Sequence, residues 1–288
     1  MTANVEMQEK RKSKRRSKGG VKRSRGAIAF LVLDALLVFV PLSLVVVWTF
    51  AGQWAWPDLI PQSWSSRGLD EAFGPYSRLG SAVVTSVEIA LITSVLCTVA
   101  AALAARALVH HDFVGKNLFQ FASIIPFLIP TTVFAMGVQV LFLRLGLSGS
   151  IFGVALSHSA VALPYALAVM LDVTRAIGTK QEEQSLVLGA SKWQTILHVT
   201  LPSITPGLLA AAAIAYIESM IQYFLTVVIG SGRVLSITTF MFPFLQSSDR
   251  TIAAVYALVF LLTSTIVFLI FEAVLKRTSL DEHRNFFM

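Results

Sequence analysis

The sequence predicts an all-α polytopic membrane protein with about six transmembrane helices, on three observations. Apolar runs of roughly twenty residues or more recur along the 288 residues, the length a helix needs to cross hydrocarbon. The chain is 55% hydrophobic and 14% charged, too little polar material to cover a soluble fold of this size. Lys and Arg also fall unevenly on alternate loops, as they do in polytopic membrane proteins.

The chain opens with a basic stretch, "KRKSKRRSKGGVKRSR" at residues 10–25, which holds most of the net charge of +7. Beside an apolar run it reads as a disordered cytoplasmic tail, residues 1–25, resting on anionic membrane lipids, with no nucleic acid as partner. The first apolar run, "GAIAFLVLDALLVFVPLSLVVVWTF" (26–50), is too long for a signal-peptide core and lacks a small-residue cleavage site. It is read as a retained helix. Residues 51–78 are rich in Trp, Pro and Ser, and Trp54, Trp56 and Trp64 suit a membrane–water boundary.

Further spans are expected at 79–104, 117–143, 151–173, 204–229 and 251–275. Pro126, Pro130 and Pro164 predict kinks within them, the freed carbonyls being satisfied by neighbouring helices. With six spans both termini share one side with loops 105–116 and 174–203. That side holds the basic tail with Arg106, Lys116, Arg175, Lys180, Lys192, Lys276, Arg277 and Arg284; the other holds Arg67, Arg78, Arg144, Arg233 and Arg250. The bias puts both termini in the cytoplasm. The domains expected are the tail 1–25, a membrane domain 26–275 and a cytoplasmic C-terminal tail 276–288.

Within the membrane domain, "EEQSLVLGASKWQTILHVTLP" (182–202) is a polar interruption. Read as a helix over 183–198, it places Leu186, Ala190, Trp193 and Leu197 on one apolar stripe. Gly189 either permits close approach of another backbone or breaks the helix in two. Pro202 is expected to stop it before the next span. Two readings remain open on these grounds: an interfacial helix lying on the bilayer, or a docking element for a cytoplasmic partner.

Several chemistries find no support. Cys97 is the only cysteine, so neither an internal disulfide nor a cysteine-rich metal site is possible. The chain has no G-x-x-x-x-G-K-[ST] phosphate loop and no H-E-x-x-H metal motif. His110, His111 and Asp112 are adjacent rather than helically spaced and read as a solvated turn. No catalytic arrangement emerges.

The polar interruption resembles the signature loop of ABC-importer permeases: Glu-Ala-Ala, three residues, Gly, nine residues, Ile, one residue, Leu-Pro. Here it runs Glu183-Gln184-Ser185, Gly189, Val199, Thr200, Leu201-Pro202, with every interval preserved. Glu182, the "GAS" at 189–191 and "LPSITPGLL" at 201–209 fit the same pattern, while Gln184, Ser185 and Val199 depart from it. The resemblance covers about residues 78–276 and implies the type I ABC importer permease fold. It further implies that Glu182, Glu183, Ser185, Gly189, Ala190, Leu201 and Pro202 belong to a loop that docks on an ATPase.

As the family implies, the partners would be two ATP-binding subunits carrying ATP and Mg²⁺, a second permease, homologous or identical, and an extracytoplasmic binding protein. The location would be the bacterial inner membrane, and the chain would be a transporter subunit rather than an enzyme.

Ionisable groups inside spans are costly and are candidates for function. Glu88 and Glu218 lie deepest, Asp34 sits in the first run, and Asp172 and Glu272 lie near ends where they can reach water. Glu88 and Glu218 are read either as helix-to-helix polar contacts or as lining of a translocation path. The stretch "YIESMIQYFLTVVIGSGRV" resembles a branch of these permeases related to polyamine, iron and thiamine-type systems. That analogy makes Tyr216, Glu218, Gln222 and Tyr223 lining candidates. His158 and Tyr165 stand behind them, since a lone His in a bundle is more often hydrogen-bonded than a ligand. The rival reading is a secondary transporter driven by an ion gradient, with Glu88 or Glu218 as the coupling carboxylate.

Overall fold

The computed structural model describes residues 25–55 and 57–285. The chain divides into two units, residues 1–47 and 48–288. The basic block up to residue 24 and Trp56 lie outside the described residues, as do the side chains of Arg277 and Arg284.

Helix α1 (Arg25–Thr49) supplies what is described of the first unit. It is apolar on every face, and its described side chains from Ile28 to Leu44 are exposed, including Asp34. A helix with no polar face matches hydrocarbon, not water.

The second unit begins with a small hairpin, β1 (Ala51–Gln53) against β2 (Ser63–Trp64), antiparallel, with Ala51 opposite Trp64. Then come α2 (Arg67–Phe73), α3 (Leu79–His110), α4 (Lys116–Leu128), α5 (Thr131–Arg144) and α6 (Ile151–Ile177). Short α7 (Lys180–Val187) and α8 (Lys192–Thr195) follow, with a π-turn (Ile196–Thr200) leading into α9 (Leu201–Met220). The chain closes with α10 (Phe224–Gly230), α11 (Ile237–Gln246) and α12 (Arg250–Asn285).

Helices α3, α6 and α9 pack on one another and form the centre. Each presents a row at four-residue spacing: Cys97, Ala101, Ala105 on α3; Ala162, Ala166, Met170 on α6; Ala211, Ala215, Ser219 on α9. All nine side chains are buried. Four-residue spacing keeps a row on one helix face, and small side chains let backbones approach, the usual solution where lipid offers no hydrophobic drive to association. Gly207 of α9 extends the close fit. A Cβ there would stand 2.8 Å from both γ-methyls of Val173 on α6.

Two flanking clusters complete the unit. Leu79, Ala82, Tyr216, Ile237, Ile252 and Val255 join α3, α9, α11 and α12, while Ile89, Phe142, Val154, Leu225 and Ile229 join α3, α5, α6 and α10. The hairpin is tied to the start of α12, where Thr251 Oγ1 donates to the Ala51 carbonyl at 2.6 Å. Nearby, Arg67 Nη2 lies 2.8 Å from both carboxylate oxygens of Asp249. Arg250 sits over the Trp48 ring, itself stacked on Trp54.

Among the described residues five helices are long and apolar enough to cross a membrane, or six if a bent pair counts as one. That pair is the first departure from the expected spans. Residues 117–143 form α4 and α5, bent by 109° at their junction. Pro130 cannot donate a backbone hydrogen bond and holds Ile129 extended, so the turn is not a mere kink. Each piece has 13 or 14 residues, about 20 Å at 1.5 Å per residue, short of a bilayer core.

By contrast, α6 runs unbroken through Pro164. The expected span 204–229 stops at Met220 and resumes as α10 after residues 221–223. The last helix continues beyond 275 to Asn285.

Candidate coupling loop and membrane path

Helix α6 ends at Gly178, whose φ of 65° turns the chain into the loop. Helix α7 carries Glu182 and Glu183 in its first turn, where the helix dipole favours anions. It closes through Leu188 N–H to the Gln184 carbonyl, Gly189 N–H to Leu186 and Ala190 N–H to Ser185. Gly189 adopts φ 91°, a left-handed conformation that ends helices and suits glycine. It therefore breaks the segment in two. Helix α8 restarts with a reciprocal cap: Gln194 N–H donates to Ser191 Oγ at 3.3 Å, and Ser191 N–H to Gln194 Oε1 at 2.8 Å.

Two expectations are corrected here. Leu186, Ala190, Trp193 and Leu197 do not form one stripe, because the break at Gly189 leaves Leu186 on α7, Ala190 in the link, and Trp193 and Leu197 on the helical stretch that follows. Pro202 does not stop the helix either. Helicity runs on from Lys192 to Met220. The π-turn at 196–200 widens the helix just before Pro202, which makes room for its ring and its missing N–H inside a continuous helix.

The loop is held by its own polar side chains. Arg106, near the end of α3, makes a two-pronged contact with Glu182: Nη1 to Oε1 at 2.8 Å and Nη2 to Oε2 at 2.9 Å. Thr200 Oγ1 donates to Glu182 Oε1 at 2.6 Å. Ser185 Oγ and Thr195 Oγ1 are 2.7 Å apart, linking α7 to α8, and Ser203 Oγ donates to Gln181 Oε1 at 3.2 Å. The Arg106 guanidinium holds the Glu182 carboxyl below its ordinary range, with Thr200 and the charge of His110 acting the same way against partial burial.

Glu183 is exposed and accepts only a local bond, from Thr179 Oγ1 at 2.6 Å. Around it Val187 and Leu188 are 87% and 86% exposed and Trp193 73%. Leu201 and Pro202 are exposed as well, and Ala190 is half-buried. Beneath the loop lies an apolar cavity of ≈ 410 Å³ between α3, the end of α6 and the start of α9.

The membrane candidates divide. Glu88 is exposed in the first third of α3, on one face with Val84, Leu91, Val95 and Val99. Glu218 on α9 is half-buried and neighbours Tyr165 of α6. Tyr223 stacks on Phe242, ring centroids 4.0 Å apart, and the Gln222 carbonyl accepts from Thr226 Oγ1 at 2.7 Å. Tyr216 does not join them. It is fully buried against Phe271 of α12, because two helical positions from Glu218 is about 200° around the axis.

His158 is likewise buried. Its Nδ1 lies 2.9 Å from Ser219 Oγ and its Nε2 3.2 Å from Thr226 Oγ1, and Ser219 Oγ donates to Thr93 Oγ1 at 3.3 Å. One imidazole thus contacts both sides of the break between α9 and α10. Asp172, near the end of α6, is partnered by Arg175 at 3.8 Å, and Glu272, well inside α12, by Lys276 at 2.6 Å. Asp112 pairs with Lys116 at 2.9 Å in an exposed turn.

Sequence reasoning missed Arg106 and Thr200 as functional neighbours of the loop. Arg106 entered only as a charge setting orientation, and its one legible signal was a cation at the end of an apolar run facing a carboxylate-rich segment.

The family described as "Binding-protein-dependent transport system inner membrane component" matches residues 97–280. The sulfate transport system permease protein CysW of Synechocystis sp. is 30% identical over 212 residues, covering 68% of this chain and 76% of that protein. CysT of Escherichia coli K12, another sulfate transport system permease, is 25% identical over 253 residues, covering 82% and 86%. The crystal structure of a bacterial ABC transporter that imports the acidic polysaccharide alginate shares the fold, with a TM-score of 0.64 at 17% identity over 91% of this chain and 99% of that one.

The fold and the loop define the class: a permease subunit of an ABC importer of type I, a transporter component and not an enzyme. The chain belongs to the binding-protein-dependent transport system inner membrane component family. It is a multi-pass inner-membrane protein, and the ion-gradient transporter is not the class it joins.

Proposed function

We propose that this permease docks on an ATP-binding subunit through the loop from Gly178 to Pro202, and that two such subunits hold ATP and Mg²⁺ beneath a pair of permeases. The observation that carries the proposal is the knuckle Val187-Leu188-Gly189. Two bulky apolar side chains stand almost fully exposed on a turn that its own hydrogen bonds hold in shape. Exposed apolar side chains on a rigid support fit a partner's cleft better than water. Glu183 beside them offers a carboxylate to a basic residue of that partner.

The loop and both termini then face the cytoplasm, in keeping with Lys116, Arg175, Lys180 and Lys192 at that end. The hairpin end meets an extracytoplasmic binding protein. The second permease, homologous or identical, covers the face of α3 that carries Glu88, since a carboxylate within a span is costly against lipid. Glu88, Glu218 with Tyr165, and Gln222 and Tyr223 at the break then border the solute path. ATP binding shifts the pair outward-facing and hydrolysis resets it.

The test is co-purification in mild detergent of the wild type and Gly189→Asp. A Cβ at 189 meets open space but its φ of 91° strains an L-residue, so the substitution perturbs the exposed knuckle locally and adds a charge there, away from the packed bundle. An ATPase recovered with the wild type and lost with the variant, at unchanged permease melting temperature, is the expected result. An ATPase retained by Gly189→Asp, or none with the wild type where a known importer stays intact, overturns the reading.

A further inference from the structure

Helix α7 follows α6 through Gly178 and continues through α8 and the π-turn into α9, so force on the loop reaches those two helices along the backbone. Helix α3 has no backbone connection to the loop; it packs on α6 and α9 through Ala101, Ala105 and Leu108, but meets the loop itself elsewhere. Its cytoplasmic half is separated from the loop by the ≈ 410 Å³ cavity, lined by Val99 and Leu103 on one side and Trp193, Ile196 and Ile204 on the other. Across that cavity α3 and the loop do not pack on each other, so what reaches α3 by packing comes only through its seam with α6 and α9. The contact that bridges the cavity is the fork of Arg106 onto Glu182, both of whose carboxylate oxygens are engaged at 2.8 and 2.9 Å.

Resting on the docking-loop reading above, we propose that Arg106 is a positioning residue for energy coupling: it makes α3, the helix that carries Glu88, move with the docking loop. Three features support this use. A bidentate guanidinium–carboxylate pair fixes direction as well as distance, which a single lysine contact does not. Thr200 binds the same carboxylate at 2.6 Å from the π-turn, so α3, α7 and the entry to α9 converge on one side chain. Among the described residues this is also the ion pair that ties the loop to a membrane helix.

The arrangement also explains the pair of adjacent glutamates. Glu182 turns inward to the bundle while Glu183 is exposed on the docking face. One carboxylate serves the membrane helices and the other the partner.

The experiment measures distance rather than transport, so no solute is needed. In a Cys97→Ser background, nitroxides are placed at His111→Cys on the end of α3 and Lys180→Cys on α7, both exposed positions. The importer is purified with its ATPase, and the label separation is read by pulsed electron resonance without nucleotide and trapped with ATP and vanadate. With Arg106 present one separation is expected in both states. With Arg106→Ala or Glu182→Gln, trapping should shift or split it by more than about 2 Å, the scale of helix displacements at switching interfaces. Arg106→Lys, which keeps the charge, should lie closer to the wild type than Arg106→Ala.

A separation that changes equally in wild type and Arg106→Ala, or that stays fixed in both substituted proteins, overturns the proposal while leaving loop docking intact. If no ATPase accompanies the wild type, docking itself fails and this inference falls with it.

Discussion

Gly207 of α9 and Val173 of α6 meet so closely that a Cβ on the glycine would lie 2.8 Å from both valine γ-methyls. The contact sits at the end of the alanine-lined seam nearest the 178–202 loop. Gly207→Val is therefore expected to pry that end apart, costing on the order of 1–3 kcal/mol by overpacking. Gly207→Val combined with Val173→Ala should recover part of the loss. Melting temperatures in one detergent, compared across the two single variants and the double, check this.

His158 holds hydroxyls on both sides of the α9–α10 break. His158→Ala leaves Ser219 and Thr226 without that partner, at a cost of about 0.6–1.7 kcal/mol, the span for interhelical polar contacts in membranes. Ser219→Ala and Thr226→Ala should each cost less, and neither should add fully to His158→Ala. A double-mutant cycle on thermal stability reads the coupling; full additivity would dismiss the network.

The loop should respond to acid in a defined direction. A carboxyl held below its unfolded value contributes stability above the unfolded pKa and loses it as pH falls through the folded one. For Glu182, held down first by Arg106 and then by Thr200, the loop stays attached at neutral pH and loosens only below the ordinary carboxylate range. Trp193 lines the same cavity and reports the change. With the other tryptophans replaced by Phe, its emission should shift at acid pH in the wild type, and Glu182→Gln should shift it already at pH 7.

At Gly189 the strain of a substitution is conformational, since φ is 91° and the Cβ position is open. Gly189→Ala should destabilise the loop by about 1–2 kcal/mol, the left-handed penalty for an L-residue. Gly189→Asn should cost less, because asparagine tolerates that region. Amide exchange at Gly189 and Ala190, whose N–H groups close α7, ranks the three.

Water access separates the membrane candidates. In a Cys97→Ser background, Glu88→Cys and Glu218→Cys should react with a water-soluble maleimide in the intact importer, while Tyr216→Cys, at a fully buried position, should not. Reaction at Tyr216→Cys equal to that at Glu218→Cys would remove the distinction drawn between the two faces of α9.

The long apolar runs were legible because length and composition alone decide whether a helix suits a bilayer. The loop was legible because spacing survives where residue identity drifts, as at Gln184 and Val199. The breaks were not. Pro130 announced a disturbance, but the 109° turn depends on how α5 packs against α10, which no local pattern encodes. Pro202 misled in the opposite direction, since a π-turn upstream absorbed it. Tyr216 and Glu218 share a stretch of sequence but face opposite sides, and an all-apolar helix offers no stripe to orient them. Arg106 escaped notice because its partner lies far along the chain.

The alanine rows on α3, α6 and α9 bear on how this bundle can change shape. Ala101, Ala105, Ala162, Ala166, Ala211 and Ala215 are all buried, and a methyl group has no alternative rotamers. At those six positions the seam has no side-chain give: they cannot adjust by re-sorting conformers, as Met170 and Leu171 nearer the loop can. Displacement along it is stiff, and bending is left to the places where the helices are already interrupted, at residues 129–130 and 221–223.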